Sequence, residues 1–507
     1  MSSSMKKVSF PIALAVIGFA FFALVFLNNA LFDKARLDLT QGQIYSVSDG
    51  TREVLKQIDE PVNLYFFFSD KATEGLTSLR NYATRIQSLL EEYELYSDGK
   101  VKLHIIDPEP FSEAEDKAAE MGLTAAPISA MGDSVYLGLA GTNSLDDKEI
   151  IAFFDPSQEQ LLEYEISKLI HRLSDPAPVK VSILSSLPIE GGATNSPMAM
   201  QMGQPQTTPA WAVYSQLEQL YQVELLTDDA EAIPEDSKVL VLLHPKSLTQ
   251  GQEYAIDQFV LSGGKLLVFV DPNAESDTSG AMMGMPGGSS SDLTSLFKSW
   301  GIDYDSSQIV LDAAKGLEIR MPNGLPGRHI GFLGLDRENI NEEDVITTSL
   351  ASINGASFGS LAKAPDANTT FTPLLTTSEY SAFTDSMGYK VAARDPESLS
   401  KAFSPLLKTQ VVAARVSGTA KSAFEQIPEG KDSEAHVAES ENIQVLVVAD
   451  TDLLTDRFWV QTANFFGQTI LQPFANNGDL LINAVDNLAG SSALLKIRGR
   501  GKYQRPF

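Results

Sequence analysis

The chain has 507 residues, too many for one hydrophobic core, so two or three domains are expected. Its formal net charge of −28 argues against nucleic acid as a partner, because phosphate binding needs a dense basic surface. There is no cysteine, which removes disulfides, thiolate nucleophiles, iron–sulfur ligation and thiol redox chemistry together.

Val8 to Phe32 is an uncharged run of 25 residues, preceded by Lys6 and Lys7 and followed by Asp33. A helix rising about 1.5 Å per residue crosses a bilayer core with roughly 20 apolar residues. The run therefore predicts a transmembrane helix over 8–32. The two lysines hold residues 1–7 as a cytoplasmic tip, which places the chain beyond about Asp33 outside the cytoplasm. A cleaved signal peptide is the competing reading. Its apolar core would span about 7–15 residues and close on a small-x-small site, whereas this run ends in Leu27-Asn28-Asn29-Ala30-Leu31-Phe32.

Residues 36–175 read as an α/β domain. Ser48 or Asp49 can cap a helix carrying Val54, Leu55 and Ile58 on one face. Pro61–Phe68 is a β-rich apolar run. Gly75–Tyr96 has Leu79, Tyr82, Ile86, Leu89, Leu90 and Tyr93 at helical spacing. A strand over Val101–Ile106 follows, then a helix over Ser112–Met121 that opens on the capping pattern Ser112-Glu-Ala-Glu115. Two strands, Ser134–Leu139 and Glu149–Phe154, flank a turn, and a helix over Gln158–Leu173 closes the domain. This order resembles the thioredoxin fold, in which a cis-proline precedes the third strand; Pro127 stands in that place. Phe68-Ser69-Asp70-Lys71 stands where the Cys-x-x-Cys motif would, so thiol redox chemistry is absent. A generic α/β domain gives a similar string.

Asp175-Pro-Ala-Pro178 marks a boundary, and residues 176–500 form a second α/β unit. Strands are predicted at Val179–Ser185, Gln222–Leu226, Lys238–Leu243, Lys265–Val270, Ile443–Ala449 and Ala493–Ile497. Helices are predicted at Trp211–Leu220, Gln250–Leu261 and Asn477–Leu488. Strands separated by helices predict a parallel sheet covered on both faces. The stretch from about 303 to 441, rich in Ser, Thr, Gly and Ala, reads as an inserted subdomain. The last twelve residues, 496–507, carry five positive charges and no acid. This basic tail suits acidic lipid head groups or an acidic partner, and a solvated tail fits equally.

The chemistry candidates are few. Asp107, Asp155, Asp271, Asp450 and Asp452 each follow a predicted strand, and ligands of open parallel sheets bind beyond the strands' carboxyl ends. Asp271, Asp450 and Asp452 could share an edge and hold a hard cation; strand-end Asp before Pro is also a common turn device, and no metal, cofactor or catalytic group is assigned. Met198, Met200, Met202, Met282, Met283 and Met285, half of the twelve methionines, crowd two aperiodic loops that follow strands of one sheet. They suit a partner-contact surface, Cu(I) ligation or plain disorder. Trp211, beside the first loop, either faces a cleft or anchors its helix on the sheet. The five histidines (104, 171, 244, 329, 436) show no metal-ligand spacing, and no Walker A motif is present.

Several blocks carry a family resemblance: RLDLTQGQIYSVSDGTREVLKQIDEPVNLYFFFS, LRNYATRIQSLLEEYELYSDGKVKLHIIDPEP, WAVYSQLEQLYQVELL, SGGKLLVFVDP, VVADTDLLTDRF and NGDLLINAVDNLAG. Together, from about Arg36 to Arg500, the chain resembles the GldG-type ABC-transporter auxiliary proteins, named for bacterial gliding motility. The resemblance implies an inner-membrane, extracytoplasmic subunit accompanying an ABC permease and its ATPase. It also implies that the second unit is similar to the class I glutamine amidotransferase fold, without that fold's nucleophilic cysteine. Relatives often continue past Arg-Pro-Phe into a second span, whereas this sequence ends at Phe507. The expected function is a non-enzymatic accessory subunit that binds a periplasmic partner or substrate, or couples the permease to it, with self-association open. The alternative is a carbohydrate- or envelope-binding periplasmic protein independent of a transporter.

Overall fold

The computed structural model describes residues 47–127, 134–156, 159, 162–174, 179–193, 207–277, 289–320, 324–392, 396–431, 434–465, 468–490, 494 and 497. The expected anchor over 8–32, both methionine clusters and most of the basic tail lie outside these residues. Among the described residues, no helix is long and apolar enough to cross a membrane. The chain divides into two compact units, Met1–Pro176 with Ser492–Phe507, and Ala177–Ser491.

In the first unit, α1 (Asp49–Lys56) begins at Ser48, whose hydroxyl accepts the Thr51 N–H and so satisfies an orphan donor of the first turn. β1 (Val62–Phe68) buries Val62, Leu64, Phe66 and Phe67. α2 (Thr77–Tyr96) crosses to β2 (Val101–Ile106), which lies parallel to β1. After α3 (Glu113–Glu120), β3 (Leu137–Thr142) pairs antiparallel with β1, and β4 (Lys148–Ile151) pairs antiparallel with β3, giving the order β2-β1-β3-β4. α4 (Leu162–Ser174) closes on this sheet. A side chain at Gly141 would meet Leu169 and Leu173 at 2.7 and 2.5 Å, so only glycine lets the helix approach so closely.

Two local expectations fail here. No peptide bond among the described residues is cis, so Pro127 is trans. The strand expected over Ser134–Leu139 divides at Tyr136, because its halves serve different partners. Ser134–Val135 pairs with Ala126–Pro127, while β3 pairs with β1.

The strands of the second unit begin with β5 (Lys180–Ser185), β6 (Gln222–Leu225), β7 (Val239–Leu243) and β8 (Lys265–Phe269). Next come β9 (Ile302–Tyr304), β10 (Gln308–Asp312), β11 (Gly316–Arg320), β12 (Pro326–Asp336) and β13 (Ser352–Ala356). β14 (Leu361–Lys363), β15 (Thr369–Thr376), β16 (Ser381–Asp385), β17 (Val411–Lys421) and β18 (Glu439–Val448) complete the set used below. The main sheet has nine strands, ordered β6-β5-β7-β8-β18-β17-β14-β9, with β15 also on β17. The first five strands are mutually parallel.

Their runs VLVLL, KLLVF and IQVLVV are apolar without alternation because both faces are covered. Leu240, Leu242, Leu266, Val268, Val445 and Val447 pack on one side with Ile256, Val260 and Leu261 of α6 (Gln250–Leu261) and with Leu296, Phe297 and Trp300 of α7 (Thr294–Trp300). α10 (Asn477–Ala489) packs against β7, β8 and α5 (Ala212–Leu220).

The stretch expected as an inserted subdomain is only partly separate. β14, β15 and β17 come from it and extend the main sheet, with β17 antiparallel to β18. What stands off the sheet is smaller: the β10–β16 pair, the β11-β12-β13 sheet, α8 (Ser386–Ala392) and α9 (Pro396–Ala402), built around Ile309, Leu311, Ile330, Tyr389 and Leu399. The predicted last strand is also absent: Leu494 and Ile497 are helical and buried.

Candidate functional site

Parallel pairing fixes where the chemistry gathers. Phe269 of β8 sits opposite Val448 of β18, so continuing the register puts Asp271 level with Asp450, both just past the strands' carboxyl ends. Asp452 follows two residues later. One carboxylate oxygen from each of the three lies within 4.8 Å of the others, and all three side chains are fully buried.

Backbone amides hold this cluster. Asp271 Oδ1 accepts the Asn273 N–H (2.7 Å), and its Oδ2 accepts both the N–H and the hydroxyl of Thr451 (2.8 and 2.7 Å). Asp450 Oδ1 accepts the N–H groups of Asp452 and Leu453 (2.7 and 3.3 Å), and its Oδ2 accepts that of Ala356 (3.0 Å). Asp452 takes the Glu275 and Ser276 N–H groups, one on each oxygen (2.7 and 2.9 Å). Gly355 has no side chain for a reason: a Cβ there would collide with Asp450 Oδ2.

Burial holds the Asp271 and Asp450 carboxyls well above the usual carboxylate range, and the neighbouring carboxylates push them further the same way. Asp452, also raised mainly by burial, reaches about 6 because the amides it accepts oppose the shift.

His244, one residue past β7, occupies the same edge. Its backbone is left-handed (φ 54°), and its N–H donates to Phe269 O at 2.9 Å. Nε2 lies 2.9 Å from Ser289 Oγ and 3.3 Å from Asp277 Oδ2, while Nδ1 is buried without a partner among the described residues. Lys246 and Ser289 also bond Asp277. Burial pushes the imidazole down to about 4, so it is neutral at pH 7. A Ser–His–acid relay needs serine and acid on opposite ring nitrogens; here both meet Nε2, so the group is not a hydrolytic triad.

The sequence-predicted residues thus separate. Asp271, Asp450 and Asp452 come together. Asp107 lies in the first unit and accepts the Asp70 N–H, and Asp155 is also there, its carbonyl accepting the Tyr82 hydroxyl. Trp211 is the half-buried N-cap residue of α5; its N–H donates to Ile189 O, and the next amide, Ala212, donates to Asp456. The six candidate methionines lie outside the described residues. His244 was missed as a member of this edge. The signal was its position directly after the apolar run VLVLL, equivalent to that of the strand-end aspartates.

Residues 179–484, well over half of the chain, match the family described as an ABC-type uncharacterized transport system. The chain belongs to this auxiliary family of ABC transport systems. Its first unit carries a second match, over residues 41–142, to a domain of unknown function. No curated protein matches this auxiliary protein. Among solved structures it is similar to a ThuA-like protein from Bacteroides uniformis, at 14% identity and a TM-score of 0.25, covering 60% of this chain and 89% of that one. It is also similar to a β-galactosidase from Rahnella sp. R3, at 11% identity and a TM-score of 0.16, covering 81% of this chain and 57% of that one. Both TM-scores are too low to place the auxiliary protein in either fold.

Proposed function

We propose that this auxiliary protein is a non-catalytic, extracytoplasmic subunit held in the bacterial inner membrane by residues 8–32, serving an ABC permease and its separate ATPase. The observation that carries the reading is the family match over 179–484. The chain has no Walker A motif, so nucleotide hydrolysis belongs to another subunit. The strand-end carboxylates are enclosed and held by backbone amides, and buried His244 on the same sheet edge lacks relay geometry; both favour binding or coupling over turnover. In this reading the ATPase cycle moves the permease while the two units engage a periplasmic partner or substrate.

The finer assignments are part of the same proposal. The first unit is thioredoxin-like, a reading supported by its order β2-β1-β3-β4, in which β3 alone runs against the other strands. Ser69 and Asp70 fill the motif loop, bonded to Pro108 and Arg80 rather than presenting a thiol. The second unit is glutamine-amidotransferase-like through its five parallel strands, and the whole is of the GldG type. Affinity isolation of the full chain from detergent-solubilised membranes tests the function. Permease and ATPase should come with it in fixed proportion; repeated recovery of the chain alone would refute the accessory role.

A further inference from the structure

We propose that Asp271, Asp450 and Asp452 bind one calcium-class divalent cation at the carboxyl edge of the main sheet. Spacing is the first support. Oxygens around a calcium ion at about 2.4 Å lie up to about 4.8 Å apart. The three carboxylates offer oxygens within 4.8 Å. Charge is the second. All three are fully buried, and among the described residues no lysine, arginine or histidine forms an ion pair with any of them; Arg457, the cation whose charge acts on Asp452, pairs with Glu275. Like charges so confined need a proton or a cation between them.

Valence is the third. A carboxylate oxygen accepts along two lone pairs. Asp271 Oδ2 and Asp450 Oδ1 already have two donors each. Among the described residues, Asp271 Oδ1, Asp450 Oδ2 and both oxygens of Asp452 have one donor each, which leaves every carboxylate a position open to a cation.

An independent observation points into the same place. Tyr389 is fully buried, and among the described residues its phenol oxygen has no hydrogen-bond partner. That oxygen packs against Gly331, whose carbonyl accepts the Ser357 N–H, and the adjacent Ala356 N–H donates to Asp450. After burial, the charges that raise its pKa are those of Glu275, Asp452, Asp450 and Asp271, which lie near enough to act on it. Asn273, two residues past Asp271 and 3% exposed, also has a buried side-chain carbonyl oxygen without a partner among the described residues. Neutral oxygens of this kind complete a calcium shell, directly or through water.

The test uses the chelator-treated full chain in detergent. Calcium chloride should raise the melting midpoint by about 5 °C or more, saturably and with one calcium per chain by calorimetry, while magnesium chloride at equal concentration gives less than half that shift. Terbium excited through the tyrosine band should luminesce on the wild-type protein and be displaced by calcium. Asp452→Asn, checked for an unchanged circular dichroism spectrum, should weaken calcium binding at least tenfold. Absence of both the calcium shift and the terbium signal in wild type would overturn the site, as would an undiminished response in Asp452→Asn. Magnesium binding as tight as calcium would overturn the choice of ion.

Discussion

Single residues at the sheet edge make opposing demands on pH. Asp452 holds its proton more tightly when folded, with its pKa moved from 3.8 to about 6. Its contribution is therefore full below about 4 and lost as pH rises through 6, about 3 kcal/mol over the window. His244 moves from 6.5 to about 4, so the unfolded chain binds its proton better; that contribution is full above 6.5 and lost as pH falls towards 4, again about 3 kcal/mol. The three aspartates titrate as a group, and between pH 4 and 6 they and His244 pull in opposite directions. In metal-free buffer, His244→Gln should make the urea midpoint fall more steeply from pH 4 to 6 than in wild type, and Asp452→Asn should make it fall less. Parallel profiles for the three proteins would contradict this assignment. The aspartates were legible in the sequence because a carboxylate after an apolar strand is a local signal. Tyr389 and Asn273 were not, because their missing partners exist only once distant segments are packed.

At the scale of elements, the parallel half of the main sheet was readable and the antiparallel half was not. VLVLL and KLLVF announce strands covered on both faces, and the capping box of Thr249 and Gln252 announces α6. β17, VVAARVSGTAK, mixes small and polar residues, and its partners β14, β15 and β18 come from both sides along the chain. No local period reports such pairings. One contact ties the added strands to the loops around them. Arg415 of β17 donates to Asp344 through Nε (3.0 Å) and a terminal nitrogen (2.9 Å), with both side chains under 5% exposed. Asp344→Ala would leave the guanidinium buried and unpaired, costing about 3–5 kcal/mol. The urea midpoint should drop accordingly; a change under about 1 kcal/mol would show that the pair is not holding that edge.

For the whole molecule, the division at residues 176 and 177 coincides with the proline-rich stretch Asp175-Pro-Ala-Pro178 of the sequence. Composition alone said nothing of Leu494 and Ile497, which group with the first unit although they follow the second in sequence. Membership of an ABC-transport auxiliary family was legible from many modest blocks rather than one motif, because none of those blocks carries a catalytic signature. The central claim is that an apolar N-terminal helix is retained and holds both units outside the cytoplasm. The natural absence of cysteine makes this directly measurable. Single cysteines placed at exposed Asp59 and Glu429, one in each unit, should react with a membrane-impermeant maleimide in intact spheroplasts, on protein whose N-terminus still contains residues 8–32. Labelling only after lysis, or a mature chain beginning beyond residue 30, would contradict the account.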